Sequence, residues 1–348
     1  LNAELIQKNS ELLVVQTSIT EETRKDLINF DVDNFPFKYN FRLISTKTLE
    51  NVSRIKMLFY RLYYIFQFKP TTINLTGYNE FGTLFILILC RILSIKSIIT
   101  NESISISKDK NALNFIKFYY KILLFKLTDG FFSYGIKSNT YLFKHQVDKN
   151  KIFSFLNTFD KSKFATNTQI KIIENNYLLF VGRLSEEKNV DGLILLFNRI
   201  KEQIPGYQLI IIGGGPEKEN LQIMINDLAL ADQIKMLGSI QWEQLSTYFQ
   251  HAECLILPSK SEPWGMVANE AQEKGIPVIC SQVCGCSDDL IIDNYSGIII
   301  NDMNLQESDQ KIVDFLINRN KLLSQKFIAK NNNIFTLNRL SMEMLRSL

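Results

Sequence analysis

Histidine is scarce: the 348 residues hold two, His145 and His251. Proline (7) and glycine (15) are also few, so nothing marks the chain as disordered or of low complexity. The five cysteines are odd in number, and four of them (Cys254, Cys280, Cys284, Cys286) cluster late in a long chain, which excludes a secreted disulfide framework. No long apolar run is present. The most apolar stretch, Leu84 to Leu93, contains Arg91 and is too short to span a bilayer. There is no G-x-G-x-x-G dinucleotide fingerprint and no short-period repeat.

What is there is an alternation of short β-branched runs with longer amphipathic segments. In the second half, strands are predicted at Tyr177–Val181, Tyr207–Ile212, Ile234–Leu237, Cys254–Leu257 and Ile276–Cys280. Helices are predicted between them at Val190–Ile204, Glu217–Leu230, Trp242–Gln250 and Met266–Lys274. Strand, helix, strand with short connections means a parallel sheet covered on both faces. The first half repeats the theme with strands at Leu12–Thr17, Tyr39–Ile44, Thr72–Leu75, Ser97–Thr100 and Gly130–Ser133. Its helices are expected at Thr48–Phe68, Glu80–Leu93, Ala112–Leu127 and Lys137–His145. The expectation is two doubly wound domains, residues 1–165 and 172–330, parted by the polar stretch Asp160–Lys171, with residues 331–348 packing back on the first. The opening Leu1-Asn2-Ala3-Glu4-Leu5 reads as a helix tail leading into a strand. A doubly wound domain normally opens with a strand and a Gly-rich turn, so the reading expects a truncation of about one strand and a turn, a few residues to a few tens.

Charge divides the chain. Residues 1–163 carry 23 Lys and Arg against 14 Asp and Glu, a net of +9; residues 164–348 carry 16 against 22, a net of −6. Either the first half faces an anionic surface or substrate, or its excess is a solvated, lysine-rich surface.

In open α/β sheets ligands bind beyond the carboxyl ends of strands, near helix N-termini. Four loops qualify. Gly182-Arg183-Leu184-Ser185-Glu186-Glu187-Lys188-Asn189 lets the backbone come close and sets two cations beside a helix start, which suits a diphosphate, although an ordinary charged turn reads the same way. Gly213-Gly214-Gly215-Pro216-Glu217 is a tight turn with a helix start, and either cradles a base or phosphate or is simply a turn. Ser261-Glu262-Pro263-Trp264-Gly265-Met266 leads into a helix bearing Asn269 and Glu270. Two acceptor-only carboxylates near a helix N-terminus suit the hydroxyls of a sugar and a ribose. Cys284-Gly285-Cys286 lacks histidine partners and favours a close backbone approach over a metal site; no zinc and no catalytic thiol is expected.

Taken in order, these motifs resemble the family 4 retaining glycosyltransferases of the GT-B fold. The resemblance rests on Gly182-Arg183-Leu184 with Lys188-Asn189, the Gly213–Glu217 turn, Leu237-Gly238 and Pro258-Ser259. The E-x7-E pair Glu262 and Glu270, Gly275-x-Pro277-Val278-Ile279, Gly285 and Gly297 complete it. It covers about residues 177–302. It implies two Rossmann-like domains facing across a cleft, the first strand of the N-terminal one missing here. It also implies a nucleoside-diphosphate sugar of UDP or GDP type as donor, with no metal and no cofactor. Arg183 and Lys188 then match the pair that holds the diphosphate, Glu262 the glutamate on the donor sugar, and Glu270 the one on the ribose. Gly182, Gly213, Gly214, Glu217, Ser261, Trp264, Gly265 and Met266 complete the donor side. Glu102, Tyr78 and Asn79 are the acceptor-side candidates, each of which is equally a cap or turn residue.

The implied activity is sugar transfer with retention to a glycan or lipid-linked acceptor, in bacterial surface-polysaccharide assembly, by a cytoplasmic protein peripheral on the inner face of the plasma membrane. Nucleic acid is not an expected partner. The segment Lys117 to Lys126, which mixes cations with aromatics on a predicted helix, suits an anionic membrane, or else packs a core with snorkelling lysines. Two other readings stand beside this one: a GT-B sugar-nucleotide epimerase, and a non-catalytic subunit that binds a nucleotide sugar without turnover.

Overall fold

Runs such as Leu209-Ile210-Ile211-Ile212 and Cys254-Leu255-Ile256-Leu257 are apolar on both strand faces, so both faces must be covered. The computed structural model answers this with parallel sheets layered by helices. It describes residues 13–16, 40–43, 52–78, 82–104, 112–159, 164, 173–301 and 305–318.

In the first half, β1 (Leu13–Gln16) pairs in parallel with β2 (Asn40–Leu43). Then follow α1 (Arg54–Phe68), β3 (Thr72–Thr76), α2 (Gly82–Ile92), β4 (Lys96–Asn101), α3 (Ala112–Leu127), β5 (Gly130–Tyr134), α4 (Gly135–Lys144) and β6 (Ile152–Phe155). Strands β3-β4-β5-β6 form a four-stranded parallel sheet in sequence order, and among the described residues the β1–β2 pair stands apart from it. The core of this half gathers Leu87, Ile99, Leu124, Phe125, Phe131 and Leu142.

The second half runs β7 (Asn176–Val181), α5 (Val190–Ile200), β8 (Tyr207–Ile212), α6 (Lys218–Asp227), β9 (Ile234–Gly238), α7 (Trp242–His251) and β10 (Cys254–Leu257). It continues with α8 (Met266–Glu273), β11 (Val278–Ser281), α9 (Ser287–Leu290), β12 (Gly297–Ile300) and α10 (Asp309–Asn318). The sheet order is β12-β11-β10-β7-β8-β9, all parallel. One core lies on each face: Leu178, Phe180, Leu193 and Phe197 on one, Tyr177, Leu179, Phe249 and Leu255 on the other.

Local chemistry moves several predicted boundaries. The helix expected from Thr48 starts at Arg54, because the Ser53 hydroxyl caps it by accepting from Lys56 N at 3.5 Å. It stops at Lys69, which adopts a left-handed conformation (φ 48°) just before Pro70. Strands β6 and β12 and helices α9 and α10 were not foreseen. Phe164, assigned to the first domain by a boundary at 165, packs in the second core beside Phe249, ring centroids 5.6 Å apart. The remaining residues of the predicted linker, and residues 331–348, lie outside the described residues. Among the described residues no helix is long and apolar enough to cross a membrane.

Candidate active site

From β7 the chain builds β8 and β9 to one side, then returns to lay β10, β11 and β12 on the other. The carboxyl ends of β7 and β10 are therefore the switch point where two loops diverge and leave a crevice. The loop after β7 is Gly182–Asn189, and the loop after β10 is Pro258–Gly265.

The glycine turn after β8 shapes the first loop. Gly182 N donates to Ile212 O (3.0 Å), Leu184 N to Gly214 O (2.9 Å), Glu217 N to Leu184 O (3.0 Å) and Gly213 N to Gly238 O (2.9 Å). A Cβ on Gly213 would lie 1.8 Å from Gly182 O, and its φ of +150° is one L-residues rarely adopt. The glycines thus lock two loops together backbone to backbone. Glu217, at the helix start, accepts from Asn220 Nδ2 at 3.2 Å.

Arg183 lies on this locked loop. Its Nε is buried and has no hydrogen-bond partner. A guanidinium donor out of reach of both water and protein acceptors is costly unless an acceptor arrives. The next residues form a 3₁₀ turn, Glu186–Lys188, and Asn189 closes it in a left-handed conformation (φ 57°). Asn189 Nδ2 donates to Pro258 O at 3.0 Å, and Lys260 N donates to Glu187 O at 2.8 Å, so the two loops are strapped together. Burial pushes the Glu187 carboxyl up, but the Ser185 hydroxyl at 2.6 Å, a backbone amide, Arg183 and Lys188 outweigh it and hold the group below its ordinary value.

The second loop carries Glu262, which is buried and forms an ion pair through Oε2 with Lys188 Nζ. Its backbone is fixed from below: Gly285 N donates to Glu262 O (2.9 Å) and Cys286 N to Trp264 O (3.0 Å). A Cβ on Gly285 would sit 1.8 Å from Pro263 O, so the close approach expected of Cys284-Gly285-Cys286 is present. The thiols of Cys280, Cys284 and Cys286 are free and buried beneath the loop, with Cys280 pushed well up by hydrogen bonding to the other two. Among the described residues no group of three or more His, Cys, Asp or Glu is arranged to hold a metal ion.

Gly265 (φ +96°) turns the chain into α8, of which Met266 is the first residue. Trp264 Nε1 donates to Asn269 Oδ1 (2.7 Å), and Asn269 Nδ2 donates to Asn157 O (2.9 Å), which ties the loop to the segment after β6. Glu270 is buried one residue further along α8. Ser261 is half-buried, its N directed at Glu187 O (3.4 Å).

The first half meets this edge at the start of α4. A Cβ on Gly135 would fall 2.5 Å from Trp264 Cζ3 and 2.4 Å from Asp289 Oδ2. Asp289 Oδ2 accepts from Ile136 N at 2.9 Å, and Lys137 Nζ reaches Ser287 Oγ at 2.7 Å, Asp288 Oδ1 at 3.2 Å and Gln282 O. The carboxyl edges of the two sheets therefore face each other. Glu102 is exposed at this edge and, after burial, is the second cause that pushes the Tyr134 hydroxyl up to about 12.

Tyr78 does not join it. Its ring is buried against Phe125 (5.0 Å, edge to face), and its hydroxyl contacts Ser103 Oγ (2.7 Å) and Tyr141 Oη (3.0 Å), so it is a core residue, not an acceptor contact. Asn79 lies outside the described residues. The interdomain contacts of Gly135, Lys137 and Asp289 were missed. Their only signal is a glycine directly after a strand and an acidic pair after a glycine turn.

Glycosyl transferases group 1 match residues 163–333. The 2-deoxystreptamine N-acetyl-D-glucosaminyltransferase of Niallia circulans is 28% identical over 125 residues, which is 36% of this chain and 32% of that protein. Sucrose-phosphate synthase from Thermosynechococcus elongatus has the same fold over 99% of this chain and 90% of its own, with a TM-score of 0.79 at 16% identity. The Anabaena protein HepE, solved with UDP and glucose, superposes with a TM-score of 0.67 at 17% identity, covering 89% of this chain and 86% of its own. The chain thus has the GT-B fold, two Rossmann-like domains, and across residues 163–333 its sequence is similar to the group 1 glycosyl transferases.

Proposed function

We propose that this protein is a retaining glycosyltransferase that moves a sugar from a nucleoside diphosphate to an acceptor hydroxyl on a glycan or lipid-linked glycan. The observation that carries the reading is the buried, unpartnered Nε of Arg183 at the switch point, on the same loop as Lys188, which pairs with Glu262. The donor diphosphate supplies the acceptor that Arg183 lacks, and Lys188 supplies a second cation on the same loop. Together they meet the phosphate charge, and the reading calls for no metal.

In the reaction the bond from the anomeric carbon to the diphosphate oxygen breaks. A bond to the acceptor oxygen forms on the same face, and the acceptor proton passes to the leaving phosphate. Charge grows on the diphosphate in the transition state, so Arg183 and Lys188 act most strongly there. Glu262, held in place by Lys188 and by Gly285 N, grips hydroxyls of the sugar. Glu270 takes the ribose hydroxyls from α8. Glu102, exposed directly after β4, is the acceptor-side candidate in this reading.

The test is a panel of UDP- and GDP-sugars offered with glycan and lipid-extract acceptors, read as diphosphate release and as the anomeric configuration of the product by NMR. Acceptor-dependent release with retained configuration supports the reading. Binding of a sugar nucleotide without release across the whole panel contradicts it, and an inverted product contradicts the retaining part.

A further inference from the structure

Helices that cover a parallel sheet normally turn polar residues outward. Three neighbouring helices of the first domain do the opposite. On α1, Ile55, Phe59, Tyr63 and Phe66 follow one another at helical spacing and are all exposed, while Met57 and Ile65 point to the core. On α2, Ile88 and Ile92 are exposed, and on α3, Phe115, Ile116, Tyr119 and Leu123. Since α2 packs against both α1 and α3, these stripes lie on one continuous face. On the helices of the second domain large exposed apolar side chains occur singly, as Leu195 on α5, Ile223 on α6 and Ile317 on α10. Contiguous apolar patches on a folded surface mark something that covers them.

Charge says what covers this one. Helices α1, α2 and α3 contain no Asp or Glu. They contain seven cations: Arg54, Lys56 and Arg61 on α1, Arg91 on α2, and Lys117, Lys121 and Lys126 on α3. Two of these look to the protein: Arg91 pairs with Asp129 at 3.3 Å, and Lys121 donates to Tyr141 Oη at 2.8 Å. Arg54, Lys56, Lys117 and Lys126 are exposed among the apolar stripes. The helices of the second sheet carry acids throughout, such as Asp191, Glu219, Glu273 and Asp314. A broad face of aromatic and aliphatic side chains interleaved with cations and free of acids suits the headgroup region of an anionic bilayer, where rings sit at the interface and cations meet lipid phosphates.

We infer that the α1–α2–α3 face docks the protein onto an anionic lipid bilayer. This goes beyond the transfer reaction and stands without it, because docking needs no turnover.

The test is flotation of the full chain with vesicles of neutral phosphatidylcholine or of phosphatidylcholine with about a third anionic lipid. The expected apparent partition constant is at least about tenfold higher on the anionic vesicles and falls as salt is raised. Ile55→Ser, Phe59→Ser and Ile116→Ser together remove side chains that are 70%, 67% and 66% exposed, so folding is preserved and circular dichroism checks it. The triple variant is expected to lose at least nine-tenths of the binding, and Lys117→Glu with Lys126→Glu to remove the preference for anionic lipid. A control pair, Ile223→Ser and Ile317→Ser, removes similarly exposed residues (59% and 61%) from the second domain and leaves binding unchanged. Equal partition on both vesicle types, no partition at all, or equal loss in the control pair overturns the inference. So does a dimer in solution that dissociates in the triple variant, since the face is then an interface between copies.

Discussion

A guanidinium nitrogen that is buried without an acceptor is the sharpest residue-level feature of this protein. Arg183 Nε has that status while the neighbouring Lys188 is engaged by Glu262. Replacing Arg183 with Ala is expected to lower kcat by about 10²- to 10³-fold, the range for losing one donor aimed at developing charge. The measurement is steady-state diphosphate release, and an unchanged kcat would remove Arg183 from the site. Glu262→Gln keeps the shape and discards the charge. It leaves Lys188 without its counter-ion, so both activity and thermal stability should fall, the latter by a few degrees in a melting scan. Cysteine gives a prediction with no catalysis in it. All five thiols are free and buried, so a thiol-reactive probe should label the native chain far more slowly than the unfolded one. At this scale the sequence was informative where chemistry depends on residue type. Arg183, Lys188, Glu262 and Glu270 stood out because cations and carboxylates follow strands at fixed places, and the structure pairs two of them, Lys188 and Glu262. Tyr78 was misjudged because a tyrosine after Thr76-Gly77 reads the same whether its ring turns outward or, as here, into the Phe125 core. Asp289 was invisible because its partner, Ile136 N, lies 153 positions away.

At the scale of elements, two glycines set how closely the site loops approach. Gly213→Ala forces a Cβ to within 1.8 Å of Gly182 O from a backbone conformation that alanine rarely adopts. The loops must part, and the expected cost is above about 3 kcal/mol, measured by urea unfolding. A substitution at Gly214, where a Cβ would meet only the Ser239 hydroxyl at 3.0 Å, should cost less. The C-terminal end of α4 gives a pH dependence. The His145 imidazole packs against Tyr141 and Phe118, with Nδ1 2.8 Å from Tyr141 O. Burial first, and then Lys121 and Lys144, hold its pKa below 6.5 against the opposing effect of the Tyr141 carbonyl. The unfolded chain therefore binds the proton more readily than the folded one, and stability rises with pH across this window. It is complete above pH 6.5 and declines as pH falls towards the lowered folded value. His145→Gln should flatten that decline in melting scans between pH 5 and 7. Strands β7, β8, β10 and β11 of the second half were legible as apolar runs bounded by turn residues, and they lie inside the sheet, largely buried on both faces. Strand β6 interrupts its apolar residues with the exposed Ser154, and β12 opens on a glycine, so neither begins as the continuous apolar run that marked the others.

The whole molecule joins a basic first half to an acidic second half, and the two differ in what their helices show to the outside. The net of +9 over residues 1–163 was legible as a number, but sequence alone left open whether it served a surface or merely solvation. Burial resolves part of it: cations and exposed aromatics share one face of α1, α2 and α3. The two sheets turn their carboxyl edges toward each other, joined at Gly135–Lys137 and Trp264–Asp289. Asp289→Ala removes the acceptor of Ile136 N and should loosen the joint, raising amide hydrogen exchange at the start of α4 while the second core stays protected. In the proposed function the switch point of the second sheet binds the diphosphate of a nucleotide sugar through Arg183. Calorimetric titration of UDP and GDP into the wild-type chain and into Arg183→Ala tests it most directly. At least one of the two nucleotides is expected to bind, weakened at least about tenfold by the substitution, which corresponds to about 1.4 kcal/mol. No binding of either nucleotide to the wild type, or equal affinity in both proteins, would contradict it.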